Sequence, residues 1–101
     1  MNKKVNLTPE QLKIIKDILK DYKDVYLFGS RVAGTSTKFS DVDICIKDKL
    51  SSYEYSCLKE KFENSKLPYL VDLVQYCKVS DDFKKIIDVS AVKLSNIETL
   101  G

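Results

Sequence analysis

Histidine is absent from this 101-residue sequence. That removes Ser-His and Cys-His nucleophilic catalysis and most zinc chemistry. Proline occurs twice, at Pro9 and Pro68, and glycine three times. With so few chain breakers, and no repeat or low-complexity tract, residues 1–101 read as one small domain. A chain of this length buries roughly 60–65% of its unfolded surface, enough for one core and little more. No signal peptide and no apolar run of membrane length is present, so the expected location is the cytoplasm. Cysteine is scarce: Cys45, Cys57 and Cys77 are odd in number, lack metal-ligand spacing, and read as buried free thiols in a reducing compartment. Arginine occurs once, at Arg31. The 17 basic and 15 acidic residues nearly cancel, for a net charge of +2, which gives no strong nucleic-acid signal.

What is present is an alternation of short apolar runs with amphipathic stretches. Residues 8–22 predict a helix: Thr8 suits the N-cap, Pro9 the first helical position, and Gln11 completes a capping box. Leu7 and Leu12 form a hydrophobic staple, and Leu12, Ile15, Ile18, Leu19 and Tyr22 make a core-facing stripe. Residues 24–29 predict a buried strand ending in glycine, and 30–34 one or two helical turns. A second strand is expected over 41–47 and a helix over 51–65, with Cys57, Leu58 and Phe62 facing inward. A third strand is expected over 68–76, opened by Pro68. Residues 80–88 predict a Ser80-capped helix with Phe83, Ile86 and Ile87 inward, and 91–95 a fourth, edge-like strand. The order α-β-α-β-α-β-α-β implies an α/β (α+β) fold, a small mixed sheet flanked by helices.

Two carboxylates interrupt the second strand. Asp41 and Asp43, at strand spacing, project from one face, while Val42, Ile44 and Ile46 point to the core. Close carboxylates repel unless a cation lies between them or one takes up a proton. Mg²⁺ is held by such oxygens. Asp72 stands in an equally apolar run, and joins the pair if the third strand lies beside the second. Three aspartates on adjacent strands can hold two ions, which clamp the attacking and leaving oxygens of a phosphoryl or nucleotidyl transfer. Gly29 lets the backbone approach a phosphate, and a helix starting near Ser30 would favour an anion there. Arg31 can grip a phosphate bidentately. Each feature alone also has a plain structural reading: Gly29-Ser30 as a turn, the aspartates as solvated strand ends, Arg31 as a surface cation.

Together, Phe28-Gly29-Ser30, ten intervening residues, then Asp41-Val42-Asp43-Ile44 resemble the DNA polymerase β-like nucleotidyltransferase superfamily. The later carboxylate of that pattern matches Asp72. "GSRVAG" followed by "SDVDICI" looks most like the minimal nucleotidyltransferase (MNT) domains of bacteria and archaea, over roughly residues 10 to 95. The resemblance implies that Asp41, Asp43 and Asp72 are catalytic and ligate two Mg²⁺ ions, with Mn²⁺ as an alternative. It implies that Asp72 also helps take the proton from the attacking hydroxyl. Gly29, Ser30, Arg31 and Ser40 are assigned to nucleotide binding, with ATP the expected nucleoside triphosphate. No stretch is left over for a separate domain to bind a primer, a tRNA or an antibiotic. A partner protein, or a second copy in a homo-oligomer, is therefore expected to complete the site or to be the substrate. Members of the minimal group resemble antitoxins encoded beside a HEPN-type ribonuclease toxin, to a tyrosine of which they add AMP. Alternatives are a module that neutralises the HEPN partner by contact alone, and a small-molecule nucleotidyltransferase.

Overall fold

The computed structural model describes residues 3–5, 7–29 and 41–99. Helix α1 (Pro9–Ile18) begins as its sequence dictates: the Thr8 hydroxyl accepts the Gln11 N–H at 3.2 Å, and the Gln11 side chain accepts the Thr8 N–H at 3.0 Å. It ends earlier than its apolar stripe, with Leu19 as C-cap. Leu12, Ile15 and Leu19 are buried, while Ile18 and Tyr22 pack at the margin. Strands β2 (Val25–Phe28) and β3 (Val42–Ile46) pair antiparallel. Helix α2 (Ser52–Glu63) starts from a second capping box, Ser51 with Glu54, and buries Leu58 and Phe62. Strand β4 (Val71–Gln75) runs parallel to β3, and helix α3 (Asp81–Ser90) follows a single 3₁₀ turn at Tyr76–Lys78. Strand β5 (Val92–Lys93) then pairs antiparallel with the outer side of β2.

The result is a mixed four-stranded sheet in the order β4-β3-β2-β5. One face carries Val25, Leu27, Val42, Ile44, Ile46 and Leu73 into a common core with α1 and α2. Burying each such side chain contributes about 1.5–3 kcal/mol before the entropy of ordering is counted. The opposite face carries a smaller cluster of Phe28, Cys45 and Ile87, with Tyr26, Val74, Tyr76 and Phe83 around it. Helix α3 covers this second face. No helix among the described residues is long and apolar enough to cross a membrane.

Several details differ from the sequence expectation. Strand β4 begins at Val71, since Pro68 has no N–H to give a ladder. The fourth strand covers only Val92–Lys93, and the chain then enters a 3₁₀ turn at Leu94–Asn96. Ile86 is 60% exposed although it stands three residues from Phe83: the inward stripe of α3 is Phe83 and Ile87, four residues apart, and Ile86 lies at the edge of that stripe, in solvent. Of the cysteines only Cys45 is buried; Cys57 is half-buried and Cys77 exposed. Two strands were not anticipated: β1 (Lys3–Val5) pairs parallel with β6 (Ile97–Thr99) as a separate two-stranded sheet. The helical turns expected at 30–34 lie outside the described residues.

Candidate active site

Strand β2 delivers Phe28 to the edge of the smaller cluster, and the chain turns at the next residue. Gly29 has φ +81°, a conformation that other residues adopt at a cost. It also has no room for a side chain: a methyl group there would overlap the Asp43 carboxylate. Glycine thus suits the position twice, for the backbone angle and because a Cβ would force the Asp43 side chain to shift.

The strand register does the rest. Phe28 pairs with Asp43 across β2–β3, and Asp43 pairs with Asp72 across β3–β4. The Gly29 turn, Asp43 and Asp72 therefore form a row over three adjacent strands, each roughly 4.8 Å from the next. Asp43 is half-buried and Asp72 exposed. Asp41 is exposed too, one residue before β3 begins. Burial above all, then the charges of Asp72 and Asp41, hold the Asp43 carboxyl above its ordinary value.

The expectation of three gathered carboxylates is met for two of them. Asp43 and Asp72 are side by side. Asp41 is near enough to act on Asp43 but stands outside the ladder. Among the described residues, no three acidic or cysteine side chains stand close enough to hold a metal ion as a group. Asp72, although it stands in an apolar run, is not buried unpaired: β4 is an edge strand and the residue is exposed. Ser30, Arg31 and Ser40 lie outside the described residues.

Other residues on this face carried no functional signal in the sequence. Phe83, in the first turn of α3, meets Phe28 edge to face, with ring centroids 5.8 Å apart and planes at 88°. Farther along the sheet, the Tyr76 hydroxyl donates to both Asp88 carboxylate oxygens at 2.9 and 3.0 Å. Lys47 lies 3.7 Å from the same carboxylate and 4.5–4.7 Å above the rings of Tyr76 and Tyr26. This polar clamp ties the last turns of α3 to β3 and β4. The Asp88 hydrogen bond, more than burial, raises the Tyr76 phenol above its usual range. The Cys45 thiol, beneath α3, is pushed up to about 11 by burial, so it is an inert packing group. A sheet-face alternation of Tyr26 with Phe28, and of Asp43 with Cys45 and Lys47, is the signal that groups these residues.

This arrangement has counterparts. A family model described as polymerase beta nucleotidyltransferase matches residues 13–97. The probable protein adenylyltransferase MntA of Haemophilus influenzae is 40% identical over 89 residues, spanning 82% of this chain and 77% of that protein. Two solved structures share the fold over 82% of this chain and 71% of theirs. One is a toxin–antitoxin with AMP-PNP (TM-score 0.69, 29% identity); the other is a mutant of the toxin–antitoxin MntA–HpeT in which two aspartates two positions apart are changed to glutamate (TM-score 0.68, 27% identity). The match over most of the sequence and the 40% identity place the chain in the polymerase β nucleotidyltransferase family, to which it belongs.

Proposed function

We propose that this chain transfers AMP from ATP to a hydroxyl of a protein partner, a tyrosine of a HEPN-type toxin, and so acts as an antitoxin. The observation that carries the reading is the row of the Gly29 turn, Asp43 and Asp72 across three strands. A glycine turn that admits a phosphate backbone-first lies beside two carboxylates that can face the transferred phosphorus. The similarity to a probable protein adenylyltransferase and to toxin–antitoxin structures, one with AMP-PNP, supports the choice of nucleotide and partner. So does the spacing of the paired aspartates substituted in the MntA–HpeT mutant, which equals that of Asp41 and Asp43.

The donor set fits Mg²⁺. It offers carboxylate oxygens and no nitrogen or sulfur, the preference of a hard cation. Asp43 and Asp72, side by side on neighbouring strands, are the residues that would hold the ion, and Asp41 would have to move in from outside the ladder to join them. Bound there, Mg²⁺ would neutralise triphosphate charge and stabilise the attacking and leaving oxygens. The protein's own contributions are separate. Gly29 allows close approach of its backbone to the phosphates. Ser30 and Arg31 follow it in sequence and are the residues proposed to hydrogen-bond the triphosphate. Asp72, exposed on the edge strand, is accessible to an acceptor hydroxyl and takes its proton as the oxygen attacks the α-phosphorus. The P–O bond to the leaving group breaks and pyrophosphate departs. Holding the acceptor in line supplies much of the rate in such a transfer, and that task falls to the partner. Cytoplasmic location follows from this role.

The test is to co-purify the chain with its HEPN partner, or mix the two, with Mg²⁺ and each of ATP, GTP, CTP and UTP. Intact-mass measurement of the partner should show a gain of one or more AMP units with ATP alone, mapped to tyrosine by fragmentation. Neutralisation of the toxin with its mass unchanged would replace transfer by the contact-only mechanism.

A further inference from the structure

We propose that Phe83 is a positioning residue of the site: its ring fixes Phe28, and through Phe28 it sets both the Gly29 turn and the registered Asp43. The inference rests on the transfer reading above for its functional consequence, and on geometry alone for the coupling. Among the described residues, Phe28 is the aromatic that adjoins both parts of the site, the turn by covalent sequence and the carboxylate by strand pairing. It is 6% exposed, yet it lies outside the large core that anchors β2 and β3 from the other face. What meets its ring edge to face is Phe83, at 5.8 Å, a geometry that aromatic pairs favour.

Phe83 is itself held in place. Its backbone N–H is the one capped by the Ser80 hydroxyl at 3.2 Å, so its position is tied to where α3 starts. The far end of α3 is secured independently, by Asp88 with Tyr76 and Lys47 and by fully buried Ile87. Loss of the Phe83 ring should therefore leave the helix docked and the main core intact, while freeing Phe28 to shift. A displacement of about 1 Å at a reacting group can cost on the order of 10²-fold in rate.

The experiment compares Phe83→Leu, Phe83→Tyr and Ile87→Val in the full chain with its partner. Phe83→Leu keeps apolar bulk but removes the ring; Phe83→Tyr restores it at a half-buried site. Ile87→Val trims the same cluster while keeping both rings, and serves as the stability-matched control. Two readings are taken: kcat for AMP transfer, and amide hydrogen exchange along β2 and β3 by NMR. Phe83→Leu should lower kcat by about 10²-fold and speed exchange at the Phe28–Asp43 end of the ladder by on the order of tenfold, with the Val25–Ile46 end unchanged. Phe83→Tyr should recover both, and Ile87→Val should keep kcat near wild type. Unchanged exchange at Phe28 and Asp43 in Phe83→Leu overturns the inference, whatever the activity. So does a kcat that falls equally in Ile87→Val at matched Tm. If the wild-type chain transfers no nucleotide, the transfer reading fails, and the exchange measurement still decides whether Phe83 positions the turn and the carboxylate.

Discussion

Substituting Gly29 by alanine should be far costlier than the loss of one glycine usually is, and most of the excess should depend on Asp43. Two effects act on the new methyl group. The first is conformational: at φ +81° an L residue costs about 1–2 kcal/mol. About 0.4–1 kcal/mol of that is offset because alanine lowers the entropy of the unfolded chain. The second is steric: the methyl overlaps the Asp43 carboxylate, so Asp43 must leave its rotamer or β2 must separate from β3. Contacting residues of this kind couple by about 0.5–3 kcal/mol. Together these give about 0.5–4.6 kcal/mol, with a midpoint near 2.5 kcal/mol, and at about 4–8 °C per kcal/mol for a chain of this size that midpoint lowers the Tm by roughly 10–20 °C. In an Asp43→Ala background the carboxylate is gone and only the conformational part remains, near 1 kcal/mol. The assay is urea and thermal unfolding of the four proteins of this cycle. Equal costs of Gly29→Ala with and without Asp43, within about 0.3 kcal/mol, would refute the close approach as the reason for glycine here.

Asp43→Asn should raise thermal stability at neutral pH while abolishing transfer. Its carboxyl titrates above the ordinary value in the folded chain, so the folded state prefers the protonated form. The penalty of ionising it is present at pH 7 and vanishes as pH falls through the raised pKa toward 3.8, the ordinary Asp value. Relieving one cross-strand like-charge contact is worth roughly 0.5 kcal/mol, so the mutant's Tm should exceed wild type by about 2–4 °C at pH 7 and converge with it in acid. A wild-type Tm that is higher at every pH would contradict this. Asp72→Asn changes almost no volume and faces solvent; it should keep the fold and partner association but cut transfer by about 10²–10⁴-fold, read by partner mass and by growth rescue in cells. Thiol alkylation at pH 8 should reach exposed Cys77 first and Cys45 last, because burial raises the Cys45 thiol to about 11; early labelling of Cys45 would mean that α3 does not stay docked.

Local chemistry made much of the fold legible. Thr8 with Gln11, Ser51 with Glu54, and Ser80 are helix starts written in adjacent residues, and each appears as a side-chain cap. Although Cys45 is buried too, on the other face, the alternation that sends Val42, Ile44 and Ile46 to the main core was equally plain. The pairing of β1 with β6 was not, because two three-residue strands from opposite ends of the chain meet through long-range contacts, with no turn between them to signal it. Ile86 misled because it shares a helical stripe with Phe83 and Ile87 in the sequence, yet the cluster under α3 took only those two.

The site divides in the same manner. Gly29, Asp41 and Asp43 are close in sequence, and their spacing alone suggested them. Asp72 could be grouped with them only by supposing that β4 lies beside β3, which the register bears out residue for residue. Phe83 had no such cue, since its link to the site is a ring contact made through tertiary packing. Yet the placement of the carboxylates is enforced by residues that do no chemistry. Val42, Ile44 and Ile46 are buried to within 1% on the main-core face. Slipping β3 by one residue would carry all three to the opposite face and drive Asp43 and Lys47 into the core. Burying those charges unpaired would cost several kcal/mol each, comparable with the whole net stability of a small protein. The register that sets Asp43 beside Asp72 and the Gly29 turn is thus held by the hydrophobic side of the same strand.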